Sequence, residues 1–144
     1  MAGTNKVLVG GGFHHVAIKV RDFDQALRMY GDGLGFAAKA RWGEGDGRGA
    51  MLDAGDGNYL EVFAGGQRVE PLGDMRAAGP IVHLCFRTQA IDAAIARATA
   101  AGFVLKVPAK DIVIPATPTP IPVRLAFLHG PDGEVIELFQ NDLT

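Results

Sequence analysis

The sequence predicts an α+β fold of two tandem modules, each a strand, a helix and then three strands. Two observations predict it. The order His15, Gly35-Phe36, Asp56-Gly57, Glu61, Phe63 recurs as His83, Gly102-Phe103, Asp132-Gly133, Glu137, Phe139. In both halves, segments of alternating polarity surround one segment of helical period, the patterns of a half-buried strand and an amphipathic helix. At 144 residues, 48% of them apolar, the chain is long enough for one real core without staples.

In the first module, Phe13 to Val20 reads as a strand, with Val16, Ile18 and Val20 alternating with Phe13, His15 and Ala17. Asp22 is a helix N-cap with Gln25 three residues on as its capping-box partner. Phe23, Ala26, Leu27 and Tyr30 form the apolar stripe, and Gly31, Gly33 and Gly35 end the helix. Phe36–Trp42, Gly49–Asp53 and Asn58–Ala64 are the three strands, joined by Gly/Asp turns. The second module repeats the order: strand Ile81–Arg87, an alanine-rich helix Ala90–Ala101, then strands beginning at Phe103, Val123 and Glu134. The expected boundaries are residues 13–64 and 80–140, with 65–79 as a linker inside one domain spanning 1–144. Pro108, Pro115, Pro118, Pro120 and Pro122 break the symmetry. Proline is excluded from sheet interiors, so 108–122 is expected to be largely surface loop.

A net charge of −2, with 21% charged residues, gives no electrostatic reason to bind nucleic acid or an anionic membrane. No apolar run approaches a membrane span, and Met1 to Gly12 lacks the apolar segment of a secretory signal, so a cytoplasmic location is expected. Cys85 is the single cysteine and has no internal partner for a disulfide.

The chemistry lies in the repeat. On each strand alternate residues share a face, so His15 sits between Phe13 and Ala17, Glu61 between Tyr59 and Phe63, His83 between Ile81 and Cys85, and Glu137 between Val135 and Phe139. A carboxylate among apolar neighbours costs several kcal/mol to desolvate unless a cation neutralises it. Two such carboxylates with two imidazoles form a mixed N/O donor set suited to one divalent metal ion: Zn, Ni, Co, Mn or Fe(II). His14 points to the other face of a regular strand, although a slip of one residue would exchange it with His15. His129 reads as an exposed turn residue. Arg124, which follows the proline-rich segment and begins a strand near Glu137, is the arginine best placed to meet an anionic substrate.

Residues 13–22, 29–36, 81–86 and the segment Phe-Leu-His-Gly-Pro-Asp-Gly-Glu-Val-Ile-Glu-Leu-Phe at 127–139 closely resemble the vicinal oxygen chelate superfamily, the glyoxalase, bleomycin-resistance and extradiol dioxygenase group. The resemblance covers nearly the whole chain. It implies two βαβββ modules forming a cupped mixed β-sheet around a metal site, with helices on the outer face. The positions matching the family's ligands are His15, Glu61, His83 and Glu137.

A His/Glu/His/Glu set is similar to that of glyoxalase I. It implies a divalent-metal-dependent lyase or isomerase that acts on a small oxygenated substrate through a metal-stabilised enediolate or enolate. Glu137 is then the favoured base, Glu61 its counterpart on the opposite face, and Phe63 and Phe139 neighbours of the substrate. The asparagine that glyoxalase I carries just after its second ligand is absent here, where Val62 and Phe63 follow Glu61, so the resemblance leaves open whether glutathione is used. The alternatives are an extradiol-type dioxygenase, a methylmalonyl-CoA-epimerase-like enzyme and a drug-binding resistance protein. A homodimer is expected, with the site closed either within one chain or between two.

Overall fold

The computed structural model describes residues 6–8, 11–67 and 80–142; residues 68–79 of the expected linker lie outside them. The strand–helix–three-strand order appears twice. Strand β1 (His15–Lys19), helix α1 (Phe23–Arg28) and strands β2 (Ala37–Trp42), β3 (Gly49–Gly55) and β4 (Asn58–Phe63) make the first module. Strand β5 (Leu84–Arg87), helix α2 (Ile91–Ala100) and strands β6 (Val104–Ile114), β7 (Ile121–His129) and β8 (Val135–Gln140) make the second. Each module is one four-stranded mixed sheet, in the order β1-β4-β3-β2 and β5-β8-β7-β6. The β1–β4 and β5–β8 pairs are parallel and the rest antiparallel. Among the described residues no helix is long and apolar enough to cross a membrane.

Asp22 starts α1 as its chemistry requires: in an extended conformation, its carboxylate accepts from the Gln25 backbone N–H at 2.9 Å, a cap worth about 1 kcal/mol. The helix does not stop at Gly31. It widens into a π-helical turn over Met29–Gly33 and is ended by Gly35, whose φ of 77° suits a residue without a Cβ. Gly33 has a second reason to be glycine, since a Cβ there would meet the Phe103 ring at 2.9 Å. Helix α2 has no side-chain cap of its own. The Gln140 side chain, reaching from β8, accepts from the Ile91 N–H at 3.0 Å.

The core lies between the helices and one face of each sheet and runs through both modules. Tyr30, Leu52, Leu60 and Val62 of the first share it with Ile91, Phe103, Leu128 and Ile136 of the second. Tyr30 and Phe103 meet edge to face at 5.4 Å, and Phe36 and Phe86 at 5.0 Å. At 0% exposure Tyr30 still needs a polar partner, and its hydroxyl donates to Glu134 Oε1 at 2.5 Å. Burial first, and the Glu134 charge second, hold its phenol well above the usual tyrosine range.

Two ion pairs repeat across the modules with the symmetry of the duplication. Arg21, just past β1, holds Asp132 in the β7–β8 turn at 2.8 Å; Arg87, at the end of β5, holds Asp56 in the β3–β4 turn. Both arginines are largely exposed, so these clasps orient the modules more than they stabilise them.

The structure corrects the expectation for 108–122. Strand β6 runs straight through Pro108 to Ile114, and β7 begins at Ile121, with Pro122 paired to Val113. Only the tip between them is loop. The physical reason is position: β6 is the edge strand of its sheet and its register is irregular between Val107 and Lys110. A proline at an edge and a bulge deprives no neighbour of a hydrogen bond. His83, expected inside a strand, lies one residue before β5.

Candidate metal centre

Burial alternates along β1: His15, Ala17 and Lys19 are exposed, Val16 and Ile18 turn to the core. Register carries the same division across each sheet. Ala17 pairs with Glu61, and Glu61 with Met51, so Tyr59, Glu61 and Phe63 share the open face with His15. In the second sheet Cys85 and Phe127 flank Glu137, and Phe139 and Val135 share its face. The modules match closely: Cys85 is opposite Glu137 as Ala17 is opposite Glu61, and each histidine precedes that small residue by two positions.

The result is two His–Glu pairs. His15 Nε2 lies 3.4 Å from Glu61 Oε2, and His83 Nε2 lies 2.9 Å from Glu137 Oε2. Bonds of about 2.0–2.2 Å to a metal at right-angle to tetrahedral geometry separate adjacent donor atoms by about 2.9–3.5 Å, so each pair is spaced as two neighbouring ligands of one ion. Donor chemistry and spacing both fit a divalent metal. His14 Nδ1 lies 2.9 Å from His15 Nδ1 and its ring packs on Tyr59 at 5.0 Å, which leaves His15 Nε2 as the nitrogen turned to Glu61.

The pairs remain separate. They stand on different sheets, and among the described residues no group of three or more His, Cys, Asp or Glu is placed to hold one ion. The reason is topological: β1 and β5 are both edge strands and do not pair with one another. A cleft of about 830 Å³ lies between them instead, with Phe13, Val16 and Tyr59 on one side and His83, Cys85 and Arg87 on the other.

Glu137 is 7% exposed, the one charged residue buried among the described ones. Its polar neighbours are His83 and Cys85. Desolvation first, then the charge and hydrogen-bond acceptance of Glu137, push the Cys85 thiol up to about 12. The alternation that sets Cys85 on the face of His83 does not reveal that it lies opposite Glu137, which follows from the parallel pairing of β5 with β8. His129 is the last residue of β7, paired with Val135, and is partly buried rather than an exposed turn residue. Desolvation, and then Lys106, lower its pKa.

Arg124 does not face the Glu137 side. It pairs with Gln140 in register, on the helix-facing side of the sheet, and its guanidinium bonds Asp92 of α2 at 3.1 Å and Asp111 of β6 at 3.0 Å. Two carboxylates already take the charge that an anionic substrate would need. Phe63 and Phe139 do lie on the open faces, two residues beyond Glu61 and Glu137.

A family model for the glyoxalase/bleomycin resistance protein/dioxygenase superfamily matches residues 14–121. Among solved structures, the chain is similar to a mutant of the genomically encoded fosfomycin resistance protein FosX from Listeria monocytogenes, complexed with Mn(II) and 1S,2S-dihydroxypropylphosphonic acid. The identity is 17% and the TM-score 0.68, over 94% of each chain. It is also similar to a glyoxylase/bleomycin resistance protein/dioxygenase domain from Frankia sp. EAN1pec, at 20% identity and TM-score 0.69 over 92% of this chain and 93% of that one. TioX from Micromonospora sp. ML1 aligns at 23% identity and TM-score 0.64, over 90% of this chain and 98% of that one. At these identities the likeness concerns the fold. Curated proteins gave no match.

Proposed function

The chain belongs to the glyoxalase/bleomycin resistance protein/dioxygenase superfamily, and we propose that within it the protein is a divalent-metal-dependent lyase or isomerase of the glyoxalase type. The observation that carries this reading is the pair of His–Glu contacts at 3.4 and 2.9 Å in equivalent positions of a duplicated module. His15, Glu61, His83 and Glu137 would be the ligands. FosX, a protein of this fold, was solved with Mn(II), which agrees with a metal-binding role for such a set.

Because each sheet presents one pair on its open face, the full set is assembled when the first sheet of one chain meets the second sheet of another. The protein is thus proposed to act as a homodimer with two equivalent sites. Phe13 and Ile81, each 69% exposed and each two residues before a ligand histidine, are apolar surface that such a contact would cover.

The bound metal would supply Lewis-acid stabilisation of negative charge on a substrate oxygen. The chain's own residues do the rest. Glu137, desolvated among Val135, Phe127 and Phe139, takes a proton from the carbon next to that oxygen and returns it to the adjacent carbon. Glu61 faces the substrate from the other sheet. Phe63 and Phe139 exclude water around the reacting atoms.

The test is metal analysis of the purified protein, followed by a metal-restored screen of 2-oxoaldehyde thiol adducts, acyl-CoA epimers and catechols. Turnover that needs both the metal and Glu137 is the expected result. Full turnover by the metal-free protein would overturn it.

A further inference from the structure

The duplicated halves hold their two histidines by different means. His83 is seated by its surroundings: its ring lies edge-on to Phe127 at 5.8 Å, and Nε2 stands 2.9 Å from Glu137, which is 7% exposed. The residue before it, Val82, offers no polar side chain. His15 lacks that aromatic wall, because Met51 pairs with Glu61 where Phe127 pairs with Glu137. Its side chain is 40% exposed, and Nε2 lies 3.4 Å from Glu61 Oε2, beyond the usual N–H···O range of about 2.7–3.2 Å. An imidazole turns readily about its Cβ–Cγ bond. Neither burial nor Glu61 therefore fixes which nitrogen His15 presents.

The residue before it supplies what is missing. The His14 backbone carbonyl accepts from the Tyr59 N–H at 2.8 Å, which joins it to β4. Its ring packs on that of Tyr59 at 5.0 Å and meets the His15 ring edge to face at 5.1 Å. The two Nδ1 atoms are 2.9 Å apart. A contact that short between two ring nitrogens needs one proton and one lone pair. One assignment puts the His15 proton on Nε2, facing Glu61, and would draw that carboxylate to hydrogen-bond distance. The observed 3.4 Å favours the other, in which His15 carries its proton on Nδ1 and donates it to His14. His14 then carries its own proton on Nε2.

We propose that His14 is a positioning residue: it accepts the Nδ1 proton of His15 and thereby holds that ring in the tautomer and rotamer that leave a bare Nε2 facing Glu61. Only the second half, where Phe127 seats the histidine, dispenses with such a partner. The tautomer follows from the distances alone; its use in holding an ion rests on the reading of His15 as a ligand given above.

The test separates the two. In metal-free, ¹⁵N-labelled protein at about pH 8, where imidazoles are as a rule neutral, long-range ¹H–¹⁵N correlation spectra read the tautomer of each ring. His15 protonated on Nδ1 and His14 protonated on Nε2 are expected. Two variants divide packing from acceptance. His14→Phe keeps a ring on Tyr59 but removes the acceptor, so the His15 proton should move largely to Nε2. Mn(II) affinity should then fall about 10–100-fold, the usual worth of a partner that orients a ligand. His14→Asn loses the ring but returns an acceptor oxygen near the position of Nδ1, and should restore both the tautomer and the affinity. Circular dichroism checks that each variant keeps the fold. His15 protonated on Nε2 in the unaltered protein, a His14→Phe variant with unchanged tautomer, or a His14→Asn variant as impaired as His14→Phe would overturn the inference. Expected tautomers in a protein that binds no Mn(II) would sink the metal reading and spare the role of His14; Mn(II) bound with the opposite tautomer would do the reverse.

Discussion

Glu137 Oε2 stands 2.9 Å from His83 Nε2 on a strand whose other face sends Ile136 and Leu138 into the core. Val135, Ile136 and Leu138 are all buried around it. A carboxylate so placed is costly to maintain, and the neighbouring imidazole is an incomplete partner because it is charged only when protonated.

Glu137→Gln keeps the shape and one oxygen donor but removes the proton acceptor. Bound metal, measured by elemental analysis, should persist at a substantial fraction of wild type. Turnover of the substrate found by the screen should fall about 10²–10⁴-fold, the usual worth of a general base. Equal losses in both measurements would reduce Glu137 to a ligand.

The pairing of sheets between chains has its own signature. His15→Ala and His83→Ala should each abolish high-affinity metal binding as pure proteins. When the two are unfolded together and refolded as a mixture, dimers carrying one chain of each type regain one intact site, since one chain supplies an unaltered first sheet and the other an unaltered second sheet. A mixture that binds no more metal than its components would show that the site is closed within a single chain.

Cys85 reports on Glu137. With its pKa pushed up to about 12, against about 9 for an ordinary thiol, the thiolate fraction at pH 8 falls about a thousandfold, and iodoacetamide should label the metal-free protein correspondingly slowly. Glu137→Gln removes the charge but keeps an oxygen that accepts, and desolvation persists, so labelling should accelerate by part of that factor. The sign of the linkage follows. The raised pKa favours the protonated thiol in the folded state, so its contribution to stability is complete below about pH 9 and is lost as pH rises towards 12. Cys85→Ser should flatten that alkaline decline in a denaturation series.

Tyr30→Phe deletes the hydroxyl that donates to Glu134 at 2.5 Å. One hydrogen bond from a buried hydroxyl to a charged group is lost, and Glu134 Oε1 loses that donor. A cost of about 1–3 kcal/mol is expected, measured as a shift in the urea midpoint. Glu134→Gln should cost less, because a neutral amide oxygen still accepts from Tyr30.

Much of this was legible in the sequence because duplication writes every signal twice. The helix start at Asp22, the strands around His15 and Glu61, and the shared faces of each ligand segment follow from local pattern, and the structure carries them with shifts of one or two residues. Pro108 was misread because composition does not say which strand is an edge; β6 tolerates it only by being outermost. Arg124 failed for a related reason. Its partners Asp92 and Asp111 come from α2 and β6, and only the pairing of Arg124 with Gln140 reveals that it faces the helices. The separation of the His–Glu pairs was equally hidden, since nothing local fixes whether two edge strands will join.

The core shared by both modules, with the rings of Tyr30 and Phe103 in contact, binds the halves, and the reciprocal clasps of Arg21 with Asp132 and Arg87 with Asp56 orient them, through contacts that do not depend on covalent continuity between them. Co-expressed as separate polypeptides, 1–70 and 71–144, the halves should therefore purify together as one folded species. A gene encoding a single βαβββ unit, fused to its own copy, would have begun with this interface already self-complementary.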